Sequence, residues 1–383
     1  MPAQTRTVTD AEVAAVHRSA LLIDTHNDVP MRTAAGFDIG PRAADGHTDL
    51  VRLREGGVGA VFFAAYVPAV MAARQRSAHQ ALEVIDSIRH DIVERYPAAF
   101  YFATAAGGIE AAHRQGKIAA LIGLEGGHAI EDSLGILRDF YALGVRYMTL
   151  THVNTNGWAD SSGDQNDPAV RHHNGLTEFG KNVILEMNRL GMLIDISHVS
   201  DKTFWDVLDI SRSPVFASHS SCRALCNAPR NMTDEMIAAM AKKGGVIQIN
   251  FSCGFLSQQT ADAERATRVY ERFGELQKKY ASDAARLRAE TDKLESEMRA
   301  KIPRATLADV VAHIDHAVKV AGIDHVGIGS DFDGITCAPT GLDDVSKFPN
   351  LTRALLEKSY TAEDIRKIYG GNTLRLMRAV EPR

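Results

Sequence analysis

The stretch that decides the fold is Leu21-Leu22-Ile23-Asp24-Thr25-His26-Asn27-Asp28, an apolar run that ends in a His-x-Asp motif. Side chains two residues apart on a β-strand point to the same face, so His26 and Asp28 should emerge together from the end of this strand. An imidazole and a carboxylate that converge in this way suit a divalent transition metal, most often zinc. Taken alone, the motif also fits a surface turn after an edge strand, so the metal interpretation depends on similar motifs elsewhere in the chain.

Strand-like apolar runs alternate with helical patterns along most of the chain. Eight strands separated by helices predict parallel pairing, and eight is the number that closes a (β/α)8 barrel of the TIM type, an α/β fold. The rival, a doubly wound open sheet, would need a glycine-rich phosphate-binding loop after the first strand, where this chain has its His-x-Asp motif. The predicted strands are Leu21–Thr25, Val58–Tyr66, Ile118–Leu124, Arg146–Thr151, Met192–Ser197, Pro214–Ser218, Gly245–Asn250 and His325–Gly329, with Phe100–Thr104 as a ninth candidate.

One segment interrupts this alternation after the seventh predicted strand. From about residue 257 to 301 the chain is charge-rich, and apolar residues such as Val269, Phe273 and Leu276 recur at spacings of three and four. This spacing predicts a long helix or a helical hairpin, inserted into a single domain that spans residues 1–383. Because the insertion leaves from the carboxyl end of a strand, three roles stay open: a lid over the site, a dimer contact, or simple packing against the barrel.

Composition and charge restrict the class of protein. The net charge of -5 argues against nucleic acid or an anionic membrane as a partner, and no run of about 20 apolar residues is present to span a bilayer. The sequence shows neither a secretory signal nor a lipid-attachment tail, so we expect a cytoplasmic protein without a membrane anchor. The four cysteines (Cys222, Cys226, Cys253 and Cys337) are too few for a disulfide scaffold, and we expect all four to be reduced.

Residues that can bind a metal follow six of the eight predicted barrel strands. Catalytic side chains of a barrel lie where strands end and βα loops begin. A lone histidine is more often a hydrogen-bonded core or surface residue than a ligand, but recurrence at successive strand ends predicts a shared site. Glu125 is the expected bridge between two metal ions, and its alternative is a buried carboxylate paired with an arginine. The strand-end residues are His26, Asp28, Glu125, His152, His198, His219 and Asp331, with Asp333 as a supporting or turn residue.

These motifs resemble those of the membrane (renal) dipeptidase family of metallopeptidases, within the amidohydrolase superfamily. The resemblance implies a zinc-dependent dipeptidase, in which a metal-bridging hydroxide cleaves the peptide bond of dipeptides with a free C-terminal carboxylate. It also implies a dipeptide as the small-molecule partner and, at the level of the family, a homodimer. The matching motifs are Ile23–Asp28, Gly123–Gly126, Leu150–His152, Asp195–His198, Ser218–Ser220, Arg230–Asn231 and Gly329–Gly334.

The resemblance further implies which residues would hold the metals. His26, Asp28 and Glu125 would bind one zinc ion. Glu125, His198 and His219 would bind the other, so that Glu125 bridges the two Zn2+ ions of the chain. The residue types agree with this picture, because several neutral nitrogens and carboxylates at the strand ends exceed what one metal ion needs.

Three residues would act on the substrate if the resemblance holds. His152 would contact the scissile carbonyl, Arg230 would bind the free carboxylate, and Asp331 would move a proton from the attacking water to the leaving amine. Guanidinium groups suit carboxylates, and a carboxylate beside metals can carry protons. Two alternatives stay open: an amidohydrolase acting on N-acyl amino acids or cyclic amides, and a metal-binding barrel without turnover.

Overall fold

The computed structural model describes residues 6–280, 283–299 and 301–382, and its framework is a parallel β-sheet. Eight strands pair side by side in the order β1-β2-β4-β5-β6-β7-β8-β9, and β3 pairs with the first residues of β4 outside this path. The strands are β1 Leu22–Asn27, β2 Val58–Tyr66, β3 Phe100–Phe102, β4 Ile118–Glu125, β5 Val145–Thr149, β6 Leu193–Asp195, β7 Phe216–Ser220, β8 Val246–Ile249 and β9 Val326–Ile328.

The two ends of the sheet meet between β1 and β9, which nearly closes the barrel. The Thr25 hydroxyl donates to the carbonyl of Ile328 at 3.0 Å. Just beyond the strands, the backbone N–H of Asp331 donates to the carbonyl of His26 at 3.0 Å, and that of Asp28 donates to the carbonyl of Phe332 at 2.9 Å. The predicted (β/α)8 TIM-type barrel is therefore confirmed, and the ninth candidate strand is an additional element.

Helices connect the strands and cover the outside of the barrel. Several begin at a Ser or Thr whose hydroxyl accepts a backbone N–H of the first turn, as Thr177 and Ser200 do. The helices are α1 Asp10–Ser19, α2 Val29–Thr33, α3 Leu50–Glu55, α4 Val70–Ala73, α5 Ser77–Ser87, α6 Ala106–Arg114, α7 Leu134–Ala142, α8 Glu178–Leu190, α9 Asp201–Ile210, α10 Asp234–Lys242, α11 Cys253–Leu256, α12 Gln258–Thr267, α13 Val269–Lys279, α14 Ala284–Arg299, α15 Leu307–Ala321, α16 Phe348–Glu357, α17 Ala362–Arg366 and α18 Asn372–Val380.

Apolar side chains fill both the barrel and the space between strands and helices. One buried cluster combines alternate residues of the barrel strands, including Phe62, Leu121 and Phe216, with Leu376 of α18. A larger cluster packs the outer strand faces against the surrounding helices. In the part of the chain that the structure describes, no helix combines the length and the apolar character needed to cross a membrane.

The segment after β8, the seventh barrel strand, is helical as predicted. It contains α12, α13 and α14, while residues 281–282 and 300 lie outside the described residues. Val269, Leu294 and Met298 form its buried apolar cluster, against which Phe273, Leu276 and Ile302 pack. The stripe of apolar residues read from the sequence therefore holds these helices together.

The expectation that all four cysteines are reduced is wrong for two of them. Cys253 and Cys337 form a disulfide across 84 residues, whereas Cys222 and Cys226 are free and buried. The pairing follows from the barrel, because β8 and β9 are neighbours and the loops after them run side by side. Disulfides persist in oxidising compartments, so cysteine content no longer supports the predicted cytoplasmic location.

Candidate active site

The carboxyl ends of the barrel strands bring the predicted site residues together. His26 lies in β1, Glu125 ends β4 and His219 lies in β7. His198 and Asp331 lie just after β6 and β9, and both have left-handed backbone conformations, with φ of 70° and 63°. Such conformations are unfavourable for residues other than glycine and are found at functional sites, where surrounding structure holds them.

The Glu125 carboxylate is at the centre of the cluster and is almost fully buried. Its Oε2 lies 3.5 Å from the Nε2 atom of His26. Its Oε1 faces three other imidazoles. The distances from Oε1 to the Nε2 atoms are 3.2 Å for His198, 3.3 Å for His219 and 3.9 Å for His152.

Asp28 completes the cluster on the β1 side, where its Oδ2 lies 3.3 Å from the Nε2 atom of His26. Within the described residues, both atoms are buried without a hydrogen-bond partner. Buried polar atoms are costly to leave unpaired, so these two atoms need a further partner that the described residues do not supply. Imidazole nitrogens and carboxylate oxygens are the ligands that zinc prefers, so the donor set fits a metal.

Among the residues that the structure describes, the possible ligand atoms fall into three overlapping groups. Within each group, all of the atoms lie within 4.8 Å of one another. The overlap means that every predicted ligand belongs to one continuous site, which His152 and Asp331 also border. The groups are His26 with Glu125 and His219, Glu125 with His152 and His198, and His26 with Asp28 and Asp331.

Two of the histidines are oriented by partners that the sequence analysis did not identify. The Nδ1 atom of His26 lies 2.7 Å from the Tyr147 hydroxyl, and that of His219 lies 2.7 Å from the Ser218 hydroxyl. The Ser218 hydroxyl is also 2.6 Å from an oxygen of the buried Asp195. Contacts at Nδ1 leave Nε2 directed at Glu125, as in many metal sites.

Gly123 of β4 leaves the space that one of these partners, Tyr147, occupies. A Cβ atom on Gly123 would lie 1.9 Å from the Tyr147 ring, so only glycine at this position of β4 admits the tyrosine. The sequence contained this signal as a glycine inside a buried strand, which often marks close approach of another group. Asp195 and Ser218 belong to two of the motifs that carry the family resemblance, but their contact joins two strands and cannot be read from spacing.

The environment shifts the pKa values of the two residues predicted to act in catalysis. Burial, together with the nearby Asp28 and Glu125 carboxylates, raises the pKa of Asp331 to about 8. The Asn250 amide donates to Asp331 at 2.8 Å and partly opposes this shift. Burial lowers the pKa of His152 to about 4, so its imidazole is neutral near pH 7.

Arg230 borders the site on the β7 side and is held by two hydrogen bonds. Its Nη1 donates to the Ser220 hydroxyl at 2.8 Å, and its Nη2 donates to the carbonyl of His219 at 2.7 Å. Within the described residues, its buried Nε lacks a partner. Burial lowers the pKa of Arg230 only to about 10, so the group stays cationic at neutral pH and suits an anionic ligand.

Known proteins resemble this chain in sequence along nearly its whole length. Residues 10–383 match the family model of membrane dipeptidases, peptidase family M19. Dipeptidase verJ from Clonostachys rogersoniana is 37% identical over 378 residues, which cover 94% of this chain and 84% of that protein.

Solved structures agree with the sequence comparison. The probable dipeptidase PvdM from Pseudomonas aeruginosa is 27% identical with a TM-score of 0.81, covering 97% of this chain and 98% of that one. A metallopeptidase from Rhodobacter sphaeroides, liganded with a phosphinate mimic of the dipeptide L-Ala-D-Ala, is 26% identical with a TM-score of 0.76, covering 94% and 99%. The chain therefore belongs to the membrane dipeptidase family of metallopeptidases, peptidase family M19.

Proposed function

We propose that this protein is a dipeptidase that uses two zinc ions to hydrolyse dipeptides with a free C-terminal carboxylate. The observation that carries the proposal is the convergence of His26, His198 and His219 on the two oxygens of Glu125. A site with both carboxylate oxygens engaged by separate imidazoles is suited to a bridging ligand. The family of the chain supports hydrolysis of dipeptides as the reaction.

In this proposal the ligands divide as the resemblance implied. His26, Asp28 and Glu125 hold one ion, and Glu125, His198 and His219 hold the other. Zinc bound here would lower the pKa of water towards about 7 and would polarise the scissile carbonyl. Nε2 of His26 and Oδ2 of Asp28, which have no hydrogen-bond partner among the described residues, support the first of the two ligand sets.

Asp331 carries the proton in the proposed reaction. Its carboxylate accepts a proton from the water that attacks the scissile carbonyl, and it then delivers that proton to the amine that leaves. Burial raises the pKa of Asp331 and favours its protonated form, whereas the positive charge of bound zinc would favour the carboxylate that accepts the proton, so both forms needed for the transfer are accessible. The Asn250 amide, 2.8 Å from Asp331, fixes the orientation of the carboxylate.

His152 and Arg230 orient the substrate in the same proposal. A neutral His152 can donate an N–H to the carbonyl oxygen as that oxygen gains negative charge, an interaction of about 3 kcal/mol in comparable sites. Arg230 binds the terminal carboxylate with its guanidinium group. The carboxylate then lies near the end of β7, and the amino end of the dipeptide points away from it.

The test is a panel of L-Ala-D-Ala, L-Ala-L-Ala and N-acetyl-alanine, assayed before and after chelation and again after zinc is added back. We expect cleavage of free dipeptides that is lost on chelation and restored by zinc. Cleavage of only N-acetyl-alanine would instead support the amidohydrolase alternative. Turnover of no substrate by the zinc-loaded protein would contradict the proposal and favour a metal-binding barrel.

A further inference from the structure

A cavity of about 390 Å3 separates the helical insertion from the barrel loops beside the candidate active site. Its volume lies within the range of roughly 300–1,000 Å3 typical of small-molecule sites. Residues 44–47 after β1 and residues 336–338 after β9 line the barrel side. The insertion side is mainly apolar, with Val269, Phe273, Met298 and Ile302 beside the acidic residue Glu264.

The charged groups around this cavity already have partners. Arg304 pairs with Asp343 at 2.7 Å, and Asp45 pairs with Arg32 at 2.8 Å. Glu264 is engaged as well. The apolar wall is therefore the part of the lining best able to select a ligand, and it would bind an apolar group.

A single segment, residues 331–338, joins the cavity to the predicted catalytic centre. Near its start, Gly334 lies so close to the centre that a Cβ atom there would be 2.3 Å from Oδ2 of Asp28. Immediately before Gly334, the Asp333 N–H donates to Nδ1 of His47 at 3.0 Å, and Asp333 Oδ1 accepts from the His47 N–H at 2.9 Å. At its end, the disulfide of Cys337 fixes the cavity wall to the loop after β8.

The order of the strands indicates which end of a dipeptide faces the cavity. Arg230 follows β7, whereas the cavity lies beside the loops after β9 and β1, further round the barrel. If Arg230 binds the terminal carboxylate and Asp331 serves the scissile bond, the N-terminal residue lies beyond Asp331. The loops after β9 and β1 lie on this side of the site, away from Arg230.

We propose that this cavity receives the side chain of the substrate's N-terminal residue and selects dipeptides with a bulky apolar side chain there. The inference rests on the proposed dipeptidase function and gives the insertion a role in specificity. Phe273 is the largest apolar side chain of the insertion wall. Thr336, an exposed residue of the opposite wall, is a site where the cavity can be filled.

The experiment compares L-Leu-Xaa and L-Phe-Xaa with L-Ala-Xaa, where Xaa is the C-terminal residue that wild type cleaves fastest. The variants are Phe273→Ala, which removes the apolar wall, and Thr336→Trp, which fills the cavity. The matched control is Leu276→Ala, because Leu276 packs in the same helical cluster but lies outside the lining formed by the described residues. All proteins are assayed with zinc.

We expect both cavity variants to lower kcat/KM about tenfold for the Leu and Phe dipeptides and less than twofold for L-Ala-Xaa. The control should change all three substrates by one common factor. If Phe273→Ala and Thr336→Trp each lowered kcat/KM by the same factor for all three dipeptides, the cavity assignment would be overturned. The dipeptidase function would still stand. Absence of cleavage of every dipeptide by zinc-loaded wild type would overturn the proposed function, and this inference with it.

Discussion

At the scale of single residues, Asp331 has the role that is easiest to isolate. Replacing it with Asn keeps the shape and the contact with Asn250 but removes the group that takes up a proton. We expect Asp331→Asn to lower kcat about 10²- to 10⁴-fold, the usual contribution of a general acid–base residue. Steady-state kinetics with metal analysis would check this, and full turnover at unchanged metal content would exclude the role.

Arg230 makes a separate prediction about binding. Arg230→Met should raise KM for free dipeptides roughly 10- to 100-fold, because a hydrogen-bonded charge interaction is lost. A dipeptide with a C-terminal amide lacks the carboxylate and serves as the matched substrate. If the variant raised KM equally for both substrates, Arg230 would be acting through the fold, since it also donates hydrogen bonds to Ser220 and to the carbonyl of His219 in β7.

The same residues show what the sequence can and cannot predict about the site. His26, Asp28, Glu125 and His219 were found because apolar runs end in side chains that bind metals, and parallel strands place such ends together. Tyr147 was not found, because its contact with His26 joins β1 to β5. Hydrogen-bond partners on different strands leave no periodic signal in the chain.

At the scale of elements, the buried His313 of α15 connects this helix to two other segments, at Cys222 and Leu256. The Cys222 N–H donates to Nδ1 at 3.0 Å, so Nε2 carries the hydrogen that is donated to the Leu256 carbonyl at 3.0 Å. Both contacts require a neutral ring. Burial accordingly lowers the pKa of His313 to about 4.

This arrangement predicts how stability depends on pH. As pH falls below about 6.5, the unfolded chain binds a proton at His313 that the folded chain does not, so the free energy of unfolding decreases. Because the pKa of His313 in the folded chain is about 4, this residue should lower the free energy of unfolding by about 2 kcal/mol between pH 7 and pH 5. Urea denaturation of metal-free wild type and His313→Gln at both pH values measures the difference. Equal losses in the two proteins would contradict the prediction.

The disulfide between the loops after β8 and β9 predicts how many free thiols the protein contains. Protein purified without reductant and then denatured should show two reactive thiols, from Cys222 and Cys226. After reduction it should show four, because Cys253 and Cys337 are released. Thiol titration gives both numbers, and four thiols before reduction would show that the disulfide is absent. The pairing escaped prediction because 84 residues separate the two cysteines and only the closed barrel brings them together.

At the scale of the whole molecule, the barrel was predictable because each barrel strand is a buried apolar run and each segment between two barrel strands contains a helix. β4 shows why this works: all eight of its residues are buried, as parallel strands covered on both faces require. The cavity beside the insertion was beyond prediction, since it depends on how α13 and α14 sit against two distant loops. A homodimer stays a prediction that light scattering can test.

The central claim is that Glu125 and the histidines around it form a two-metal centre that hydrolyses dipeptides. The most direct measurement is a zinc titration of metal-free protein, in which bound zinc and dipeptide hydrolysis are followed in the same samples. We predict that hydrolysis reaches its maximum when two zinc ions are bound per chain, and that Glu125→Gln loses both tight binding and activity. Maximal hydrolysis with only one zinc ion bound per chain, or full hydrolysis by zinc-titrated Glu125→Gln, would contradict the account.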